Sequence, residues 1–113
     1  MQSVSFEAVG EITVVRVRGD LDMETAPQLR DCLADLEDLG RYSLVVDLQD
    51  VTSLDSTVLG VFIGARKRLR SHGGALVLVA PSEAVRHLFQ LIGMSDVFAV
   101  RDSVDEATKI LQE

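Results

Sequence analysis

Residues Leu44 to Gly74 read LVVDLQDVTSLDSTVLGVFIGARKRLRSHGG, and this stretch predicts the class of the fold. Leu44 to Leu48 form a nearly continuous apolar run, which is typical of a central strand covered on both faces. Gln49 to Leu54 are interpreted as a loop. A helix is predicted from about Ser56 to Ser71, ended by the glycine pair that follows. A buried strand followed by a long helix is the repeating unit of α/β proteins.

The same alternation continues on the C-terminal side of this stretch. Ala75 to Ala80 is a second buried strand, and a third helix is predicted to begin at Pro81 and Ser82 and to end at Gly93. Val97 to Val100 is interpreted as a short edge strand. A final helix opens with Ser103, and Glu106 three residues later completes a capping-box pattern.

On the N-terminal side, two segments rich in β-branched residues predict a hairpin that turns near Gly10. The helix after the hairpin is expected to have Thr25 as its N-cap, Gln28 as its capping-box partner and Gly40 just beyond its last turn. Its apolar stripe consists of Leu29, Cys32, Leu33 and Leu36. The element order ββαβαβα(β)α predicts one α/β domain over residues 1–113, with parallel crossovers joined to an antiparallel hairpin in a mixed sheet.

Length and composition support a single globular domain. The chain has 113 residues, of which 47% are hydrophobic and 26% charged, which excludes disorder as the main state. Aromatic residues make up only 4%, so the core is expected to consist of Val, Leu, Ile and Ala.

Charge and motif content exclude several function classes. Eighteen acidic residues against eleven basic ones give a net charge of −7, which argues against direct nucleic-acid binding. The basic run from Arg66 to Arg70 is interpreted as a solvated helix face. The lone Cys32 excludes an internal disulfide and the usual zinc frameworks. Neither His72 nor His87 has a metal-ligand partner at helical spacing, and no nucleotide-binding loop is present, so no metal and no cofactor are expected.

Neither a secretory leader nor an apolar run long enough to cross a membrane is recognised in the sequence. A cytoplasmic location without membrane association is therefore expected.

Functional residues are expected where strands end and helices begin, because ligands of open α/β sheets bind at the carboxyl ends of the strands. Asp20 and Asp22 follow the second strand, and Asp55, Ser56 and Thr57 open the second helix. The last three are interpreted either as ordinary N-cap groups or as a special site, since the N-terminus of a helix also favours phosphate. Asp20 and Asp22 are compatible with acid–base chemistry or with a partner surface.

Two valines of the second helix extend this candidate site. Val58 and Val61 lie partly off the apolar stripe assigned to Leu59, Phe62 and Ile63. An apolar surface beside a hydroxyl at a helix start predicts a docking site for a protein partner.

The sequence resembles a known family over nearly its whole length, from about Val4 to Leu111. The segments that carry the resemblance are GDLDMETAPQLR (19–30), the opening stretch (44–74) and LVAPSEAVRHLFQLIGMSDVFAV (78–100). They are similar to the anti-sigma factor antagonists of bacteria, the single-domain members of the STAS superfamily. The D-S-T-x-L-G-V core is the most specific part.

This resemblance implies a STAS-type mixed sheet with about four helices packed mainly on one face. It implies a non-enzymatic protein that binds an anti-sigma factor with serine kinase activity and so releases a sigma factor. The kinase phosphorylates the residue after the motif acid, which is Ser56 after Asp55, and a phosphatase restores it. Asp22 matches the family's contact acid. The family usually has glycine where this chain has Val58, a departure expected to affect the close approach of a partner.

Two other functions remain compatible with the sequence. One is a STAS interaction module without a phosphate switch, acting as a scaffold or a transporter-associated subunit. The other is a small enzyme or phosphoryl carrier that uses Asp20, Asp22 and Ser56.

Overall fold

The computed structural model describes residues 3–79, 82–91, 93 and 97–112, which form nine elements. The strands are β1 Ser3–Val9, β2 Ile12–Leu21, β3 Ser43–Leu54, β4 Ala75–Val79 and β5 Ala99–Arg101. The helices are α1 Ala26–Asp38, α2 Ser56–Ser71, α3 Glu83–Leu91 and α4 Val104–Gln112. The predicted element order is confirmed, although Ala80, Pro81 and Ile92, which the predictions included, lie outside the described residues.

The five strands form one mixed sheet in the order β1-β2-β3-β4-β5. The β1–β2 hairpin is antiparallel and turns through Gly10, whose φ of 63° suits glycine. All other neighbouring strands are parallel. The predicted hairpin and parallel crossovers are therefore both confirmed.

The sheet is covered unequally on its two faces. Val15, Val46 and Leu78 belong to the larger core beneath α1, α2 and α3. Their sequence neighbours Val14 and Val45 point to the opposite face and belong to the smaller core with Ala107 of α4. Three helices thus lie on one face and one on the other, and the central strands are apolar on both sides, as the continuous apolar run indicates.

Strand β3 is more than twice as long as the sequence predicts, with twelve residues. Gln49 to Leu54, interpreted as a loop, continue the strand, and only Val51 among them is buried. These residues are held by parallel pairing with β2, which itself runs on to Leu21 through two register shifts. The extension therefore comes from backbone pairing rather than from apolar burial.

Helix α1 begins where the sequence predicts, but not with the predicted cap. Thr25 occupies the N-cap position, yet its side chain makes no capping hydrogen bond to the helix. Cys32 is only partly buried, at the edge of the larger core.

None of the described helices is long and apolar enough to cross a membrane.

Candidate functional site

The carboxyl ends of β2 and β3 meet at one edge of the sheet. Leu21 pairs with Leu54, and the backbone N–H of Asp55 donates a 3.0 Å hydrogen bond to the carbonyl oxygen of Leu21. This pairing places the loop that follows β2, with Asp22, beside the start of α2. The structure therefore brings the acidic residues predicted after β2 and the hydroxyl residues predicted at the start of α2 to the same edge.

Asp55 caps helix α2. Its Oδ1 atom accepts hydrogen bonds from the backbone N–H groups of Thr57 (2.9 Å) and Val58 (3.3 Å), and its backbone is extended, as an N-cap requires. The N-cap interpretation is confirmed for Asp55. Ser56 is the first helical residue, and both Ser56 and Thr57 are exposed. The Ser56 hydroxyl therefore lies at the positive end of the α2 dipole, where an added anion is stabilised.

The prediction that Val58 lies on a partner-facing surface is wrong. The side chain of Val58 is fully buried, and Val61 is partly buried against the same core. The core-facing side of α2 consists of Val58, Leu59, Phe62, Ala65 and Leu69. Ile63, assigned to the buried stripe, is instead 38% exposed. Because Val58 points into the core, its replacement of the usual glycine alters packing under the helix rather than the surface a partner meets.

Asp20, predicted to follow the second strand, instead lies within β2, where it pairs with Ser53 of β3. Its side chain joins the ends of these two strands. Its Oδ1 atom accepts hydrogen bonds from the hydroxyl of Thr52 and from that of Ser53, the latter at 2.8 Å. These two hydrogen bonds, Thr52 first, hold the pKa of Asp20 below its ordinary value because they favour the charged form. Asp20 is exposed, so the carboxylate presents a fixed negative charge to solvent.

Asp22 and Thr25 close the turn between β2 and α1. The Asp22 Oδ1 atom accepts hydrogen bonds from the backbone N–H groups of Glu24 (2.9 Å) and Thr25 (3.2 Å). In return, the backbone N–H of Asp22 donates to Thr25 Oγ1 at 2.8 Å. This reciprocal pattern resembles a capping box placed one turn before the helix, and it explains why the buried Thr25 does not cap α1 itself.

Asp20 and Asp22 do not act as a carboxylate pair. The Asp20 side chain bonds to β3, whereas the Asp22 side chain bonds to its own loop. A general acid at neutral pH needs a raised pKa, and that of Asp20 is lowered. Among the residues that the structure describes, no group of three or more His, Cys, Asp or Glu side chains is placed to hold a metal ion. Asp20 and Asp22 are therefore not arranged as a paired acid and base.

Some residues of this edge carry no functional signal, or only a weak one, in the sequence. The sequence predicts a loop at Thr52 and Ser53. Their contacts with Asp20 span more than thirty residues, so no local pattern marks them. Thr25 stands three residues after Asp22, a spacing typical of reciprocal capping, and this signal was available. Met23, in the loop between β2 and α1, is 72% exposed. It adds an apolar side chain to the edge that carries Asp20, Asp22 and Asp55, which we call the acidic edge.

Comparisons with known proteins agree with this architecture. The sequence model of the STAS domain matches residues 3–107. The chain is 32% identical over 91 residues to a protein of Staphylococcus aureus named anti-sigma-B factor antagonist, covering 80% of this chain and 84% of that protein.

Two solved structures share the fold. A putative anti-sigma factor antagonist from Thermotoga maritima superimposes with a TM-score of 0.92 at 25% identity, covering 97% of this chain and 95% of that one. The Bacillus cell fate determinant SpoIIAA in its phosphorylated form gives a TM-score of 0.76 at 24% identity, covering 95% and 97% of the two chains.

Proposed function

The chain belongs to the STAS domain family, and we propose that it is an anti-sigma factor antagonist switched by phosphorylation of Ser56. In this proposal the unphosphorylated protein binds an anti-sigma factor with serine kinase activity and thereby releases a sigma factor. Phosphate on Ser56 ends the interaction, and a phosphatase that acts on phosphoserine restores it. The protein acts as a binding module in transcription regulation, not as an enzyme, and its place of action is the bacterial cytoplasm.

The observation that carries the proposal is the position of Ser56. Its hydroxyl is exposed on the first residue of α2, directly after the capping Asp55. These two residues match the motif acid and the phosphoacceptor of the family, and Asp22 on the neighbouring loop matches its contact acid. The name of the Staphylococcus aureus relative supports an anti-sigma factor as the partner, and the phosphorylated form of SpoIIAA supports a phosphate switch.

The partner surface is centred on this edge of the sheet. It consists of the exposed Ser56 and Thr57, the carboxylates of Asp20, Asp22 and Asp55, and the exposed side chain of Met23. Ion pairs from basic side chains to these three carboxylates are absent within the part of the chain that the structure describes. A partner with basic side chains would complement this surface.

Phosphate acts at the interface rather than on the fold. The group adds a charge of about −1.5 to −2 at neutral pH. In the free protein the exposed helix N-terminus tolerates this charge, and solvent screens it from Asp55. In the complex the partner's basic side chains are already paired with the three carboxylates, so the phosphate loses its solvent without gaining a counter-charge. An unpaired charge of this kind costs several kcal/mol. Because each 1.4 kcal/mol is tenfold in affinity, we expect binding to fall by at least about a hundredfold.

The test is phosphorylation by a candidate anti-sigma kinase with ATP, followed by mapping of the phosphosite by mass spectrometry. We expect one phosphate, on Ser56, which disappears in Ser56→Ala and persists in the matched control Thr57→Ala. Ser56→Ala should bind the anti-sigma factor like the unmodified protein, and Ser56→Asp should bind it more weakly.

Two results would contradict the proposal. Phosphate on Thr57, with Ser56→Ala still fully modified, would refute the assignment of the phosphoacceptor. Binding of the anti-sigma factor with no phosphate on either hydroxyl would instead support the interaction module without a switch.

A further inference from the structure

A groove of about 630 Å³ lies between β1 and α1, at the outer edge of the sheet. Its lining includes Val4, Phe6, Asp31, Cys32, Asp35 and Leu39. Ser56, by contrast, follows the central strand β3. None of the residues that line the groove belongs to the edge that carries Asp20, Asp22, Asp55 and Ser56.

The groove has an apolar floor and two exposed apolar walls. Val4 and Cys32 pack against the larger core from the floor. Burial, with a smaller contribution from the charge of Asp35, raises the pKa of the Cys32 thiol, so the thiol is neutral at physiological pH. Phe6 is 57% exposed and Leu39 is 73% exposed. Because these two large apolar side chains border the same groove, they form a continuous contact surface, unlike apolar residues that are exposed singly.

The backbone beside the groove is open to another strand. Among the described residues, β1 pairs with β2 on one side only, and residues 5–10 are all exposed. The outer side of β1 therefore carries unpaired N–H and C=O groups, which a segment in extended conformation satisfies by joining the sheet.

The charges of the groove indicate which side chains the bound segment carries. Asp31 and Asp35 are acidic, and none of the residues that line the groove is basic. Arg30 approaches Asp31 only to 3.9 Å, with both side chains more than half exposed, so this ion pair contributes little. Asp31 and Asp35 are four residues apart on α1, about 6 Å along the helix axis. Alternate residues of a strand are about 6.8 Å apart on one face, so two basic side chains at positions i and i+2 match the two carboxylates.

We propose that the groove between β1 and α1 binds an extended segment of a partner protein, which pairs with β1 and directs apolar and basic side chains into the groove. A second copy of this chain fits less well. Pairing of two β1 strands would bring Asp31 and Asp35 of both copies to the same groove, and each copy carries a net charge of −7.

The test uses a defined peptide, acetylated and amidated, of sequence VTRTRTV. Its valines and arginines share one face of a strand, and the threonines occupy the other. We expect saturable shifts of backbone amide signals at residues 4–9 and 28–39 in NMR titrations. The double variant Asp31→Asn, Asp35→Asn should weaken binding at least about threefold, since two partly exposed ion pairs are removed. Phe6→Ser should weaken it too, whereas Asp38→Asn, on the same helix outside the groove, should not.

Other outcomes overturn the proposal. The peptide VTETETV should bind much more weakly, so equal binding of both peptides would refute the role of charge. Shifts confined to the surface around Ser56, or no shifts at all, would refute the site. Shifts of β1 signals that depend only on protein concentration would assign the surface to a second copy. None of these results depends on phosphorylation, so Ser56→Ala should bind the peptide unchanged.

Discussion

Two substitutions of Asp55 separate its two roles, as the cap of α2 and as a negative charge beside Ser56. In Asp55→Ala the backbone N–H groups of Thr57 and Val58 lose their acceptor at the start of a sixteen-residue helix. Loss of an N-cap costs about 1 kcal/mol, and loss of a carboxylate at the positive end of the helix dipole adds about 0.3–1 kcal/mol. We therefore expect the free energy of unfolding to fall by about 1–2 kcal/mol.

The matched variant is Asp55→Asn, which keeps an oxygen acceptor but removes the charge. Asparagine caps helices about as well as aspartate, so only the charge is lost, and the free energy of unfolding should fall by about 0.3–1 kcal/mol. For a chain of 113 residues, the fall of about 1–2 kcal/mol in the free energy of unfolding of Asp55→Ala corresponds to a fall in Tm of about 4–8 °C. Urea denaturation and thermal unfolding followed by circular dichroism measure both quantities.

Two results would refute this reasoning about Asp55. A wild-type Tm for Asp55→Ala would show that the two hydrogen bonds do not stabilise the helix start. Equal destabilisation by alanine and asparagine would show that charge, not capping, is the main contribution. With the cap intact, any change in phosphorylation of Ser56 in Asp55→Asn reports on the charge alone.

Asp22→Ala should lower the free energy of unfolding by about 1 kcal/mol, because the carboxylate accepts two backbone hydrogen bonds of the turn before α1; unchanged urea denaturation would restrict Asp22 to a surface role. Gly74→Ala should destabilise the fold by at least about 2 kcal/mol, since a methyl group there would overlap the backbone of Tyr42. Gly60→Ala should instead raise stability by about 0.5–1 kcal/mol, as its helical position is open, and similar melting shifts for the two variants would contradict both assignments. The pKa of Asp20 lies below its ordinary 3.8, so its stabilising contribution is present above that pH and disappears as the pH falls through the lowered pKa. An NMR titration of the Asp20 carboxyl should show this low midpoint, and Thr52→Val should raise it; a midpoint unaffected by the variant would disprove the role of that hydroxyl.

The helices and the class of the sheet were predictable because their signals are local. The bounds of α2 follow from Asp55 at its start and the glycines after its end. The continuous apolar run at the start of β3 predicts burial on both faces, and the structure confirms it. The second half of β3 was not predictable, because Gln49 to Leu54 have little apolar content and are held by pairing with β2.

The candidate site likewise contains residues that the sequence predicts and residues that only the folded structure brings in. Asp55, Ser56 and Thr57 could be placed at a helix start from sequence, since a cap bonds to backbone groups two and three residues away. The hydroxyls that bind Asp20 could not be found, because Thr52 and Ser53 reach it only after two distant strands have paired.

The sequence alone therefore determined the element order, the mixed sheet and the position of Ser56 at the start of α2. The tertiary structure decided which side of that helix is buried. Apolar residues are so dense between positions 58 and 65 that several faces of α2 are compatible with burial. Contact with the sheet selects Val58 for the core and leaves Ile63 at the surface. Spacing within a helix restricts which residues share a face, but burial depends on where the neighbouring elements lie, and only packing of the whole chain determines that.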